Sequence, residues 1–166
     1  MRRGGDAGNV QGVPSMPFTV DRSRSIISAM IVGRKVTAMD VAWLRREVFA
    51  DGVVTREAAD ELFAVERSDI DKAPEWTDFF VETITDHTLW QARPTGTLSE
   101  EEAEWLLEQA DSCMTVGALA TLVNVLGEAQ RAPRWFLAAV RARAQRPWKG
   151  LEIAAAQARP VLALCG

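Results

Sequence analysis

Tyrosine is absent from this 166-residue chain, histidine occurs once and cysteine twice. One histidine, His87, with no cysteine close to it in sequence, leaves no Ser/His/Asp or Cys/His set for nucleophilic catalysis. A Gly-x-Ser-x-Gly elbow and a Gly-rich phosphate loop ending in Lys-Ser/Thr are also missing. Cys113 and Cys165 lie far apart without metal-ligand spacing, which argues against a structural disulfide or a zinc site. No run approaches the ~20 consecutive apolar residues of a membrane-spanning helix. Arg2-Arg3 is followed by Asp6, Asn9 and Gln11 rather than an apolar segment, so a cytoplasmic location is expected. No catalytic residue is assigned, and the expected role is non-enzymatic.

What remains is a core-forming composition, 48% hydrophobic and 25% charged, which is ordinary for a globular protein. The net charge of −4 conceals a division into blocks. Residues 1–46 carry +5, residues 47–111 carry −14 and residues 112–166 carry +5. Such a distribution can steer a cation, a basic partner or a second copy of the chain toward the middle of the sequence.

Residues 1–18, with Gly4, Gly5, Gly8, Gly12, Pro14 and Pro17, read as an N-terminal arm, and 161–166 as a tail around an all-helical domain over 19–160. Ser25 to Val32 gives a short apolar helix stopped by Gly33. Thr37 with Asp40 caps a second, with Val41, Leu44 and Val48 at helical spacing. Gly52 supplies a turn and Thr55 caps a third helix, whose Ala58, Leu62 and Val65 gather opposite Glu57, Asp60 and Glu61. A long helix follows in which Trp76, Phe79, Phe80, Thr83, Ile84 and His87 share one stripe and Glu75, Asp78, Glu82 and Asp86 another. That stripe makes His87 a packed core histidine rather than a base. Ser99 and Glu102 read as a capping box, Thr115 as the next cap, and residues 134–146 and 151–159 as closing helices. No strand is expected.

A shift of 60 residues superposes 50–63 on 110–123, aligning Asp51 with Asp111, Thr55 with Thr115, Ala58 with Ala118 and Leu62 with Leu122. A shift of 59 aligns Ala73-Pro74-x-Trp76 with Ala132-Pro133-x-Trp135. The fold class expected is therefore all-α, a single domain of about seven to eight helices built from two diverged repeats, about 38–90 and 99–148, related by a pseudo-twofold. The equivalence of Trp76 and Trp135 suggests core packing for both. The copies differ chemically: Asp51-Gly52 with Glu57 becomes Asp111-Ser112 with Gly117, so a site using these groups survives only in the first.

Asp51-Gly52-x-Val54-x-x-Glu57 places one carboxylate in a turn and another on the first turn of a helix, where a hard cation such as Ca²⁺ or Mg²⁺ finds oxygen ligands. It is not an EF-hand: with Gly52 at the loop's glycine position, Phe49 and Ala58 fall where ligands belong. Without a metal, Asp51-Gly52 is simply a turn and Glu57 a complement to the helix dipole. Arg131, Arg134, Arg141, Arg143, Arg146 and Lys149 form a basic run that reads as a solvated helix face, with nucleic-acid binding a further alternative.

The segment Ala50-Asp51-Gly52-Val53-Val54-Thr55-Arg56-Glu57, flanked by helices and followed by a diverged copy, resembles the tellurite-resistance TerB-like superfamily. Residues from about Thr37 to Val140, including Trp76-Thr77-Asp78-Phe79-Phe80-Val81, look like an uncharacterised bacterial branch of it. The resemblance implies an all-helical cytoplasmic domain with an acidic surface able to take metal, working in stress-response or membrane-associated complexes. It carries over Asp51 and Glu57. The sequence thus leads to a scaffold whose acidic face, with Asp60, Glu61, Asp78 and Glu82, meets a divalent cation or a basic partner. The alternative is a metal-independent protein-interaction module or homo-oligomer.

Overall fold

The computed structural model describes residues 27–148; the expected arm 1–18, helix 151–159 and tail 161–166 lie outside that range. Residues 27–33 form α1, which buries Ile27 and Met30. A short strand β1 (Lys35–Val36) leads into α2 (Ala38–Trp43). The Thr37 hydroxyl accepts from the Asp40 N–H at 3.2 Å while Thr37 N–H donates to Asp40 Oδ2 at 2.7 Å, completing a reciprocal cap. Leu44–Val48 extends α2 in a wider π-turn, closed by Phe49 N–H on Leu44 O.

Thr55 caps α3 (Arg56–Arg67) by accepting from Ala58 N–H at 3.1 Å. Strand β2 (Asp71–Lys72) runs parallel to β1 and leads into α4 (Pro74–Thr85), where Pro74 at the first position lacks only an N–H that the helix would leave unpaired anyway. A second π-turn, Asp86–Trp90, continues α4. Next come α5 (Glu100–Cys113), α6 (Val116–Glu128) and α7 (Phe136–Ala144). The described residues thus form an all-α unit with seven helices.

The apolar stripes meet in one core. Trp76, Phe79, Phe80 and Ile84 from α4, Leu62 and Phe63 from α3, Leu106 from α5, Leu122 from α6 and Phe136 from α7 are all buried. Phe63 meets Phe80 edge-on at 5.0 Å, and Trp76 stacks on Phe80. Burial of one such aromatic side chain contributes about 1.5–3 kcal/mol.

Both halves share an order of elements: a lead-in, a helix, a Thr-capped helix, a second lead-in and a third helix. The lead-ins pair in parallel in each half, Lys35–Val36 with Asp71–Lys72 and Thr97 with Arg131. These pairings correct the expectation of no strands; two-residue strands are too short to display alternation. Three further expectations are corrected. Asp111-Ser112 is not a turn, because α5 runs on to Cys113 and reverses at Met114 alone, in the left-handed region at φ 54°. The first copy uses the longer turn 49–54 with Gly52 at φ 71°. Linkers of such different length aim the helices differently, so the halves are not a pseudo-twofold: α3 packs on α5 and α4 on α6, while the symmetry-related contacts of α6 with α2 and α7 with α3 are slight. Trp135 is no counterpart of Trp76 in the core. It precedes α7 and stays 37% exposed, with Nε1 on Glu100.

Candidate functional site

Asp51 sits in the exposed turn between α2 and α3, where Oδ1 accepts from Val53 N–H at 3.0 Å. Glu57 projects from the exposed side of the first turn of α3. Among the described residues no group of three or more His, Cys, Asp or Glu side chains is placed to hold a metal ion.

The segment around them is held from below. Gln91, just past the π-turn of α4, donates through Nε2 to Gly52 O at 2.7 Å and accepts through Oε1 from Val54 N–H at 2.8 Å. His87 Nδ1 lies 2.7 Å from Val54 O. A carbonyl only accepts, so Nδ1 carries a proton. The widened turn of α4 thereby grips both sides of the loop. Arg56, next along the chain, pairs with Glu102 Oε1 and lays its guanidinium 4.0 Å from the centre of the Trp105 ring.

His87 is half-buried, its side chain 10% exposed, with its ring edge-on to Trp105. Its Nε2 and Glu102 Oε2 are buried without a hydrogen bond among the described residues and lie 4.0 Å apart. Glu102 also departs from its expected place in a capping box: Ser99 Oγ accepts from Glu102 N–H, but the Glu102 side chain turns away to Arg56. Arg56, Gln91 and Glu102 were not visible as partners of the turn, because their contacts span 37 to 46 residues.

The acidic residues expected to form one face divide between two surfaces. Asp60 accepts from Trp105 Nε1 at 2.9 Å, which directs it at α5, and Glu61 is half-buried on α3. Asp78 and Glu82 line a groove of about 800 Å³ between α4 and α6. Its floor is apolar, with Val81 from α4 and Val116, Leu119, Ala120 and Val123 from α6; Val123 is 53% exposed. Glu128 closes one end, close in charge to Asp86. Partial burial, then the negative charges of Glu128 and Glu82, raise the Asp86 carboxyl above the usual carboxylate range, although the residue as a whole is solvent-exposed. Of Asp78, Glu82, Asp86 and Glu128, only Glu82 forms a salt bridge among the described residues, with Arg45 at 2.8 Å. The acidic stripe of α4 that supplies Asp78 and Glu82 to this rim was legible from helical spacing; the α6 floor could not be matched to it without the tertiary packing.

The basic run does not form a free strip. Arg143 grips Asp111 with two hydrogen bonds, Nε to Oδ1 at 2.7 Å and Nη2 to Oδ2 at 2.5 Å. Arg134, Arg141 and Arg146 are exposed, and Lys149 lies outside the described residues.

No protein-family model, no characterised protein and no solved structure matches the chain. Among the described residues no helix is long and apolar enough to cross a membrane.

Proposed function

We propose that the protein is a non-enzymatic interaction module whose α4–α6 groove docks a basic amphipathic helix of a partner protein. One observation carries this: an apolar floor bordered by Asp78, Glu82 and Glu128, of which only Glu82 has a basic partner among the described residues, with Asp86 close enough to feel the charges of Glu82 and Glu128. Val116, Leu119 and Val123 at i, i+3 and i+7 of α6, the first two half-buried and Val123 exposed, form with Val81 of α4 a cradle for a third helix, and carboxylates along its edges select one with Lys or Arg beside the apolar stripe. The Asp86 carboxyl is raised first by partial burial and then by the negative charges of Glu128 and Glu82, and an approaching cation would offset those charges. The TerB-like resemblance, with its stress-response setting, is part of the same proposal and supplies no partner by name.

The test uses a fluorescently labelled Leu/Ala helix with flanking lysines, an acidic counterpart of the same apolar pattern, and the full chain. Saturable binding of the basic peptide alone, weakened by salt and abolished by Val123→Asp or by joint Asp78→Lys and Glu128→Lys substitution, is expected. No binding, or binding indifferent to these substitutions, overturns the proposal.

A further inference from the structure

The strongest feature outside the groove is the pair of orphaned buried atoms, His87 Nε2 and Glu102 Oε2, 4.0 Å apart. Buried polar atoms without partners are rare in folded proteins, and each requires a physical reason. With Nδ1 committed to donating to Val54 O, a neutral His87 ring has only a lone pair at Nε2. It would then direct that lone pair at a carboxylate oxygen that also only accepts. A separation of 4.0 Å is too short to hold a bridging water. One proton on Nε2 converts this mutual repulsion into a charge-assisted hydrogen bond, reached by a small approach of the two side chains.

We infer that the folded chain holds a proton on His87 Nε2, shared with Glu102, and that this proton locks the turn 49–54 onto α4 and α5. The surroundings favour that placement over a protonated Glu102, because the Arg56 guanidinium on Oε1 stabilises the charged carboxylate. From α3 the charged groups at the cluster are Arg56 and Asp60, the latter reaching it through Trp105 Nε1. From α5 there is Glu102. The turn offers the Val54 carbonyl, while the Asp51 carboxylate is occupied at Val53 N–H. Among the described residues the cluster thus sets Glu102 and Asp60 against Arg56, and the imidazolium supplies a second positive charge.

His87 is bonded to the turn through Nδ1 and, with a proton on Nε2, to α5, so one ring joins the three segments.

Because His87 is the only histidine, ¹⁵N NMR of the imidazole reads it without ambiguity. At about pH 7, where a free histidine is mostly neutral, both ring nitrogens are expected to carry protons in the wild type, and Nε2 to be bare in Glu102→Gln. A bare Nε2 in the wild type at that pH overturns the inference and needs no variant to fold.

Discussion

The carboxylate of Glu66 fills the space in which a side chain on Gly117 would lie, so that a Cβ there would overlap Oε1. Glu66 is buried near the end of α3, accepting from Trp76 Nε1 at 2.6 Å on α4 and from the Thr115 hydroxyl at 2.6 Å at the start of α6. The first turn of α6 adds unpaired N–H groups and a positive dipole end, which suits a buried negative charge. One side chain thus joins three helices. Its position explains why the second repeat has glycine where the first has Glu57.

Gly117→Ala is therefore expected to destabilise the protein by about 1–3 kcal/mol through overpacking, against the roughly 1 kcal/mol gain that the same change gives in an open helix. Urea unfolding measures it. In a Glu66→Asp background, where the carboxylate retracts, the cost of Gly117→Ala should shrink. Equal costs in both backgrounds would show that Glu66 is not what excludes the side chain.

The two caps aligned by the repeat should also separate under mutation. Thr55 and Thr115 each accept from an alanine N–H three residues on, at 3.1 and 3.2 Å. Thr55→Ala is expected to cost about 1 kcal/mol, as for a simple N-cap. Thr115→Ala should cost about 2 kcal/mol, since it also removes the hydroxyl that donates to the buried Glu66 carboxylate. Matched denaturation curves for the two variants decide the point.

These residues show what was legible in the chain and what was not. Thr37, Thr55, Ser99 and Thr115 all begin helices, because a cap is a local event in which a hydroxyl meets an N–H three residues on. The Trp76 stripe is local in the same sense, since period alone assigns it to the core. Nothing in the sequence singled out Glu66 on α3, because the groups that hold it, Trp76 and Thr115, lie 10 and 49 residues away. Glu102 failed as a capping-box residue for the same reason, drawn off by an arginine 46 positions away. The groove floor likewise needs α6 to lie on α4. Trp135 misled because sequence alignment equates positions, while exposure depends on how closely the next helix packs.

Asp86 yields a prediction with a definite sign. Its carboxyl is raised in the folded state by partial burial and by Glu128 and Glu82, so the fold favours the protonated form. The stability this contributes is present below the ordinary carboxylate range and is lost as pH rises through the raised value. At neutral pH the ionised group opposes folding. Asp86→Asn should raise the melting temperature at about pH 7 and give no gain near pH 3, where the wild-type carboxyl is protonated in both states. A gain that persists in acid would trace the effect to something other than charge.

Cys113 supplies a probe of global unfolding. Its thiol is buried at the end of α5 against Phe63 O at 3.5 Å, and burial, the largest cause, pushes it up to about 11. Glu66 adds to that rise, while Arg67 and a hydrogen bond with Ser112 oppose it. The thiolate is the reactive form, so at neutral pH the native thiol lacks both access and charge. In a Cys165→Ser chain, Cys113 should resist a disulfide reagent under native conditions and react fully in urea. Under slow labelling its rate should follow the equilibrium fraction unfolded, so that Gly117→Ala, which loosens the α3–α6 contact, accelerates labelling by roughly 5- to 150-fold for a loss of about 1–3 kcal/mol. Rapid labelling of the native wild type would mean that the end of α5 opens locally, and the rate would then be independent of the Gly117 substitution.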